Sequence, residues 1–531
     1  MRRKRTIELF IFILFFSSIA ALSLYPTFLW WRNTPPYTTF SFSYGHTGDY
    51  FQLVHFVQSG MHGKLLYTIP YTEDSAPSMF VQPIYFFTGL ILSPFIKSPI
   101  IALFILRLVS LAAFFSSLTI LLYRVLKTFI LRFLAGVVAV GATSFWTVAS
   151  EGGQTVYHTP VEWNDTFNIY RKFLIPPHHL LAIACVMLLL IVFSSRRWRA
   201  RQVIFTIVLT TFVGLLHPYH LSLVCGIAVI GAMIIGIQKK KVTRALDRMV
   251  PVLVPAGIIY VYYNQMTQLV FPWIRPDTLL SIITPQPIQT LWPYILAIGP
   301  IFFLSLLFVI PLVKSSVSFI ELLLLLWAGI PFIASLFPGT KIMQPFKTHQ
   351  YIPLAILAVC GISYVVREKK IMTVVVSFLV GATFIYAYFP YAAAFQKERT
   401  YIAEAWGDFT AYMPDSLLRT FTFLNRQTPK NSVILAGEQV SFMIPAFTQD
   451  KVVIGQGDSV ANYADRVSQV RTDYYGYDQG YPDGLITFAK SHRVSYILFG
   501  VDASLFNPSV SPQSVQVVYN DTPVTVVKVL Q

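Results

Sequence analysis

Residues 1–30 read MRRKRTIELFIFILFFSSIAALSLYPTFLW, a basic cluster followed by a long apolar run with an aromatic end. A helix needs about 20 mostly apolar residues to cross a bilayer, and aromatic side chains concentrate at the membrane interface. The start resembles a signal peptide, but the apolar run continues to Trp30 and Trp31, so we interpret it as an uncleaved first span. Residues 1–5 are then expected in the cytoplasm, where short loops retain positive charge.

The same pattern recurs along the chain. Further apolar runs lie at about 79–95, 99–123, 131–148, 173–194, 203–216, 220–237, 249–266, 291–313, 318–337, 349–366 and 371–390. Of the 531 residues, 55% are hydrophobic and 12% are charged, whereas soluble domains carry roughly 25% charged residues. The sequence therefore predicts a polytopic α-helical membrane protein that uses lipid as its solvent.

The positive charge is confined to one part of the chain. The net charge is +16, yet residues 1–390 hold 29 basic and 11 acidic residues and residues 391–531 hold 11 and 13. The excess lies in short loops between apolar runs, which is typical of orientation signals and not of a nucleic-acid surface. We predict a bilayer partner and no nucleic acid.

Basic clusters predict the orientation of the spans. These clusters lie at 1–5, 124–132, 196–201, 239–248, 314 and 367–370. With these clusters on the inside, the segment 391–531 and four loops lie on the outside. The four loops are 31–78, 149–172, 267–290 and 338–348. Three apolar runs separate the first two outer loops, so one run must fail to cross; 79–95 contains Pro83, Gly89 and Pro94 and is our candidate for a re-entrant or interfacial helix.

The expected architecture has about 11 spans and two domains. Residues 1–390 form the membrane module, with a cytoplasmic N-terminus, and residues 391–531 form an extracytoplasmic domain. In the second domain, short β-like runs at 433–436, 452–454, 495–499, 515–519 and 524–529 alternate with helical patterns near 415–427, 459–474 and 482–491. Alternating elements of this kind predict an α/β fold.

Asp49 is the first candidate for chemistry. It follows Gly-His-Thr-Gly at 45–48 and opens an amphipathic stretch from Tyr50 to Val57 in the first outer loop. An aspartate at a helix start can be an N-cap, and the same carboxylate can accept a proton from a sugar or lipid hydroxyl. Charges near a bilayer need partners and therefore suggest function.

Loop 149–172 supplies a second group of candidates. Glu151, Glu162 and Asp165 lie among aromatic residues there, a combination that suits a sugar as well as an ordinary interfacial loop. Arg171 stands at the predicted outer end of a span, against the positive-inside trend. We expect it to face an anionic headgroup or a lipid phosphate.

Loop 338–348 and its border repeat that anomaly. Lys341, Lys347 and His349 lie on the predicted outer side just before another span, where headgroup anchoring and a phosphate site are both open. Two histidine pairs, 178–179 and 217/220, suggest a metal site. Pro218 breaks the helical register of the second pair and no third ligand is close in sequence, so we favour hydrogen-bonding histidines at a helix end and predict no metal site.

The order of these parts resembles the GT-C class of membrane glycosyltransferases, which includes the protein O-mannosyltransferases and the aminoarabinose transferases. The resemblance rests on the first span, Asp49 early in a long outer loop, Gly63-Lys-Leu-Leu-Tyr67, the helix start Gln82-Pro-Ile-Tyr85, many spans and an α/β tail. It implies a GT-C-like membrane module in which Asp49 is the catalytic acid of the first outer loop. It also implies a second acidic region at 149–172. Tyr50 follows Asp49 where the class often has a second acid.

The resulting hypothesis is an inverting glycosyltransferase of the cell envelope. A polyprenyl-phosphate-linked sugar is the expected donor, and a glycan, lipid or protein is the acceptor at the outer face. Asp49 is the base, Lys341, Lys347, His349 or Arg171 holds the phosphate, and no cofactor is required, with the need for a divalent cation left open. The alternatives are a lipid or glycan transporter or flippase, for which Glu321 and Arg107 are the candidate charges within spans, and a non-catalytic membrane scaffold.

Overall fold

The structure is a computed structural model. It describes residues 2–42, 47–74, 77–151, 154–158, 172–195, 198–240, 242–269, 287–314, 317–334, 349–366, 368–404, 409–455, 463–474, 482–501 and 514–530. Contacts divide the chain into two units. The helical unit comprises Met1–Pro26, Arg107–Tyr262 and Leu280–Thr400, and the mixed unit comprises Thr27–Leu106, Tyr263–Leu279 and Tyr401–Gln531. The predicted domain boundary at residue 390 stays a prediction.

Helices make up most of the first 404 residues. Their bounds are α1 Arg2–Arg32, α2 Thr47–Met61, α3 Pro83–Leu92, α4 Pro99–Val125, α5 Phe129–Gly141, α6 Pro177–Phe193, α7 Ala200–Leu216, α8 Pro218–Lys239, α9 Val242–Leu269, α10 Pro287–Ile298, α11 Pro300–Ser305, α12 Val309–Val313, α13 Phe319–Ala334, α14 Tyr351–Val365 and α15 Lys369–Glu404. β2 (Thr147–Glu151) pairs antiparallel with β3 (Gln154–His158); the pair begins at the end of the predicted apolar run 131–148 and continues into the predicted loop 149–172.

Five of the described helices are long and apolar enough to cross a membrane, namely Lys4–Arg32, Pro99–Val125, Pro218–Gln238, Val242–Met266 and Lys370–Phe389. Large apolar side chains on these helices point outward; Phe10 and Phe378 are 58% and 72% exposed. Exposed apolar surface of this kind suits contact with lipid. The other apolar helices are shorter, so the number of about 11 spans stays a prediction.

The run 79–95 forms only the ten-residue helix α3. At 1.5 Å per residue it is about 15 Å long, roughly half the thickness of the hydrocarbon core. It packs tightly on α2, since a Cβ at Gly60 would overlap the backbone carbonyl of Phe86 and a Cβ at Gly89 would overlap that of Val57. These two glycines allow the backbones of α2 and α3 to touch.

The predicted span 291–313 is not one continuous helix. α10 ends at Ile298 and α11 begins at Pro300, with Gly299 between them at φ +81°. Pro300 lacks the N–H that would continue the helix. A Cβ at Gly299 would overlap the backbone of Thr143, so only glycine fits this break.

The C-terminal part of the mixed unit contains a five-stranded sheet, which confirms the predicted sheet region. Its strand order is β6-β5-β7-β9-β8. Strands β6 (Lys451–Val452), β5 (Val433–Leu435) and β7 (Tyr496–Phe499) are parallel, and β9 (Val524–Val529) runs antiparallel to both of its neighbours, β7 and β8 (Val515–Asp521). Its helices are α16 Asp415–Gln427, α17 Glu438–Phe447, α18 Tyr463–Asp473 and α19 Pro482–Ser491. The predicted helix 415–427 matches α16 residue for residue.

The first long loop and the C-terminal part meet within the mixed unit. β1 (Thr38–Phe40) pairs with β4 (Tyr412–Pro414), and the Tyr412 hydroxyl donates a hydrogen bond to the carbonyl of Trp30 at 3.0 Å. The two segments therefore lie on the same side of the membrane. Which side this is stays the prediction made from the basic loops.

Candidate active site

Asp49 lies in the first turn of α2 and its side chain is exposed. α2 begins at Thr47, two residues before Asp49, so the aspartate belongs to the first turn of the helix. A carboxylate in this position is stabilised by the positive end of the helix dipole, typically by about 0.3–1 kcal/mol. The predicted base is therefore presented as a solvent-accessible anion at a fixed helix end.

α2 is held firmly along its length. The Tyr50 hydroxyl donates to the carbonyl of Ser41 at 2.6 Å. The His55 ring bonds through Nδ1 to the carbonyl of Pro445 in α17 at 2.6 Å. The apolar stretch 50–57 contacts protein, with Phe51 and Val54 fully buried. These contacts fix the helix that carries Asp49.

Tyr71 is a neighbour of Asp49 that no sequence pattern indicates. Its side chain is fully buried and its hydroxyl has no hydrogen-bond partner among the described residues. Burial raises the pKa of Tyr71, and the neighbouring Tyr67 and the Asp49 carboxylate raise it further. The hydroxyl therefore stays protonated and can donate a hydrogen bond to a ligand.

Two other acids of the first loop have a structural role. Glu73 accepts a hydrogen bond from Arg466 Nη1 at 2.6 Å and contacts His492 Nδ1 at 2.8 Å. Asp74 accepts from Arg466 Nη2 at 2.9 Å. These bonds join the first loop to α18 and to the end of α19. The partners of these acids are protein groups.

Several predicted site residues lie outside what can be described. Glu151 is in β2, where its backbone pairs with Gln154, but its side chain is not described. The remaining predicted residues Glu162, Asp165, Arg171, Lys341 and Lys347 fall outside the described residues. Their assignments stay predictions.

His349, the last predicted site residue, belongs to a cluster of five histidines in the helical unit. The cluster consists of His178, His179, His217, His220 and His349, and we call it the histidine cluster. His349 is 1% exposed, with its ring centroid 6.1 Å from that of His220. His220 stacks on His217 at 4.3 Å, and His217 lies 4.4 Å from His179.

The histidine cluster forms where the N-terminal ends of three helices converge. α6 begins at Pro177, α8 begins at Pro218 and α14 begins at Tyr351, and the histidines flank these three starts. Proline at the first helical position leaves the helix no N–H to satisfy there. Helix N-termini carry partial positive charge and are ready-made anion sites.

Many polar atoms of the histidine cluster and of Tyr351 beside it have no hydrogen-bond partner in the described part of the chain. They are Nδ1 of His217, both ring nitrogens of His220, both ring nitrogens of His349 and the hydroxyl of Tyr351. A buried polar atom left unpaired typically costs about 1–3 kcal/mol. So many in one place point to a polar ligand.

Lys172, which follows Arg171 in the chain, lies inside the protein. Its side chain is fully buried, and its ammonium donates to the carbonyls of Ala142 at 2.6 Å and Val140 at 3.0 Å. It also lies 4.0 Å from the ring centroid of Tyr351. The lysine therefore stabilises the C-terminal end of α5 and lies beside the first residue of α14.

Gln350 fixes the start of α14. Its side-chain amide bonds to the carbonyl of Ala328, and its oxygen accepts from the hydroxyl of Tyr294. Nothing in its neighbourhood on the chain predicts these partners, which lie 22 and 56 residues away. No group of three His, Cys, Asp or Glu side chains among the described residues is arranged to hold a metal ion.

The chain matches no family model and no curated protein sequence. Its structure is similar to that of archaeal oligosaccharyltransferase AglB from Archaeoglobus fulgidus, solved in complex with an inhibitory peptide and a dolichol-phosphate. The TM-score is 0.50 at 11% identity, over 93% of this chain and 69% of that one. A second structure, the Archaeoglobus fulgidus oligosaccharyltransferase in complex with Zn and sulfate, has a TM-score of 0.48 at 12% identity, over 91% and 67% of the two chains.

AglB is a GT-C class glycosyltransferase, so the first comparison confirms the resemblance stated from the sequence. At this identity the similarity establishes the fold and leaves function to be argued from the site.

Proposed function

We propose that this chain is an integral membrane glycosyltransferase that moves a sugar from a polyprenyl-phosphate-linked donor to an acceptor at the outer face. The observation that carries the proposal is the fold similarity to AglB across 93% of the chain. The AglB structure contains a dolichol-phosphate and a peptide, which represent a lipid-linked donor and an acceptor in general terms. The proposed acceptor is a glycan, a lipid or a protein, the three classes given from the sequence.

Asp49 is proposed as the base. Its carboxylate takes the proton of the acceptor hydroxyl while that oxygen attacks the anomeric carbon. The new glycosidic bond forms as the bond from the anomeric carbon to the phosphate oxygen breaks, and the phosphate leaves with the electron pair. Attack opposite the leaving group inverts the anomeric centre. The location of Asp49 at an exposed helix start suits both its anionic state and access to a substrate.

The histidine cluster is proposed to bind the phosphate of the donor. Neutral imidazoles offer one N–H donor each, and three helix N-termini add favourable partial charge. The sequence already predicts His349 as a phosphate-binding residue, and we add His217 and His220 to the proposed set. Arg171, Lys341 and Lys347 stay proposed contacts to the same anion.

Loop 149–172 is proposed to contact the sugar. Glu151, Glu162 and Asp165 would accept hydrogen bonds from sugar hydroxyls. We add the buried hydroxyl of Tyr71 in the mixed unit, which has no partner among the described residues, as a donor to substrate.

The test is sugar transfer in membranes from a radiolabelled polyprenyl-phosphate-sugar pool, with wild type and Asp49→Asn at equal expression. The variant keeps the side-chain shape but removes the base, so transfer should fall by about 100-fold or more. Asp74→Asn is the matched control, because it changes an acid of the same loop whose partner is Arg466; it should keep transfer near the wild-type rate. Equal transfer by wild type and Asp49→Asn would remove Asp49 from the mechanism.

The transporter alternative gains no support from the charges that suggested it. Glu321 lies in the first turn of α13 and accepts a hydrogen bond from the backbone N–H of Ser318 at 2.6 Å. It therefore caps a helix end, as carboxylates at helix N-termini do. Arg107 is buried within α4.

A further inference from the structure

A polar cavity lies in the mixed unit, away from Asp49. Its volume is about 490 Å³, within the range of ligand pockets in proteins. Its walls are the last turns of α2, the segment 64–70, the loops that precede β5 and β6, and Lys451 at the start of β6. Gln58 on this wall is nine residues beyond Asp49, which is about 13 Å along the helix.

The cavity is lined by groups that suit sugar hydroxyls. Amides are supplied by Gln58, Asn431 and Gln449, and hydroxyls by Ser59 and Thr68. Amides and hydroxyls both donate and accept hydrogen bonds, as sugar hydroxyls do. An apolar ligand would leave these groups unpaired, which is unfavourable.

His55 is oriented to accept a hydrogen bond on the side of the cavity. Its Nδ1 must donate, because its partner at 2.6 Å is the carbonyl oxygen of Pro445. The other nitrogen, Nε2, then carries a lone pair and lies 3.4 Å from the Ser59 hydroxyl. The Ser59 hydroxyl therefore donates to His55, which leaves the Ser59 oxygen as an acceptor on the cavity wall.

Positive charge dominates the wall. Lys64 and Lys451 both line the cavity, and no described carboxylate lies within ion-pair distance of either ammonium. Lys451 donates one hydrogen bond, to the backbone carbonyl of Asp74 at 3.2 Å, which leaves two of its N–H groups for other acceptors. Asp450 is the acidic group of the wall, but it is 3% exposed and accepts from the Thr428 hydroxyl at 3.2 Å.

We infer that this cavity binds an acidic sugar of the acceptor, that is, a glycan unit carrying a carboxylate or a phosphate. The inference rests on the proposed function, since it assigns the class of acceptor. Lys64 and Lys451 bind the oxyanion, and the amides and hydroxyls of the wall bind the ring hydroxyls. Charge-assisted hydrogen bonds to an ammonium are stronger than neutral ones, so the acidic group gives most of the selectivity.

The test is equilibrium binding to the full-length chain in lipid nanodiscs. The probes are a trigalacturonate, a neutral galactose trisaccharide of the same length, galactose 6-phosphate and inorganic phosphate. We expect the trigalacturonate to bind at least tenfold more tightly than the neutral trisaccharide. Tighter binding of galactose 6-phosphate than of trigalacturonate would identify a phosphorylated sugar as the acidic unit, while equal binding of inorganic phosphate would overturn the assignment to a sugar.

Lys64→Gln is the variant of choice, because Lys64 is exposed and lies outside the proposed catalytic residues. It should weaken trigalacturonate binding about tenfold and leave the neutral trisaccharide unchanged. Lys430→Gln is the matched control, since Lys430 is an exposed lysine next to Asn431 but not on the cavity wall. Equal losses in both variants would show a general charge effect and overturn the site.

The same binding measured on Asp49→Asn separates the two proposals. If wild type and Asp49→Asn both bind the acidic probe selectively but neither transfers sugar, the cavity is supported and the glycosyltransferase proposal is refuted. If wild type transfers sugar but binds the acidic and the neutral trisaccharide equally, only the cavity proposal is refuted.

Discussion

Histidines occupy two contrasting settings in this chain. In the mixed unit, His492 contacts Glu73 at 2.8 Å, and Arg466 binds the same carboxylate at 2.6 Å. In the helical unit, both ring nitrogens of His220 and of His349 are buried without a hydrogen-bond partner among the described residues. The first set is a complete network and the second has unused bonding capacity.

The contrast separates groups that hold the fold from groups that await a ligand. A satisfied buried network contributes to the structure and breaks at high cost when one member is removed. Unsatisfied buried groups lower stability, so their presence is best explained by what they bind. Composition alone does not distinguish the two, because both consist of histidines near charged residues.

The largest expected effect is the loss of the complete network. Glu73→Ala leaves Arg466 without its closest carboxylate, where the arginine side chain is only 14% exposed. Arg466 keeps its bond to Asp74, but the substitution removes two hydrogen bonds to a charged group, those from Arg466 and His492, and each is typically worth about 1.5–3 kcal/mol. We therefore expect thermal unfolding at a clearly lower temperature, and faster hydrogen–deuterium exchange in α18 and α19.

Asp74→Asn is the internal comparison for that variant. The Asp74 side chain is 55% exposed, so its ion pair with Arg466 should contribute less than about 1 kcal/mol. Equal destabilisation by both substitutions would contradict the idea that Glu73 is the centre of the network.

The cavity of the mixed unit offers a second way to sharpen the comparison, through pH. Burial raises the pKa of Asp450 to about 6 and lowers the pKa of His55 to about 4. The raised pKa of Asp450 means that its contribution to stability is present at low pH and is lost as pH rises toward 6. The lowered pKa of His55 means that its contribution is present above about 6.5 and is lost as pH falls toward 4.

Between about pH 4 and 6, the contributions of Asp450 and His55 to the unfolding free energy change in opposite directions as the pH changes. We therefore expect this pair to change the stability of the wild type little in that range. Asp450→Asn removes the pH dependence that comes from Asp450 and leaves the pH dependence that comes from His55. Its unfolding free energy should fall by up to about 3 kcal/mol as the pH goes from 6.5 to 4, as the His55 shift implies. His55→Gln should show the reverse slope, and denaturant unfolding at several pH values measures both. Parallel pH profiles for the two variants would contradict the opposed shifts.

Regular elements were predictable because their periodicity is local. Alternating apolar residues predicted β9 at its observed bounds, and amphipathic spacing predicted α16. α17 was missed because it is a ten-residue, largely apolar segment with an internal Pro445, which carries no clear helical period. The break at Gly299 was missed because the apolar run continues through it.

The histidine cluster was not predictable because its members lie on helices far apart in the sequence. His178 and His349 are 171 positions apart, and only packing of α6, α8 and α14 brings their rings together. One signal was available. Each histidine pair and His349 lie at the predicted outer end of a span, so the topology placed them at one depth.

The smallest expected effect tests the cluster itself. His220→Phe keeps a ring of similar shape and removes two buried nitrogens that have no partner among the described residues. Removing unsatisfied polar atoms is close to neutral for stability or favourable. We expect unchanged or slightly higher thermal stability, with a KM for the lipid-linked donor about tenfold higher, which corresponds to about 1.4 kcal/mol of lost binding. His492→Gln is the matched control and should do the opposite, lowering stability through Glu73 while KM stays at the wild-type value. A His220→Phe variant that is destabilised but binds the donor normally would show that the cluster supports the fold, and the distinction between the two histidine settings would fail.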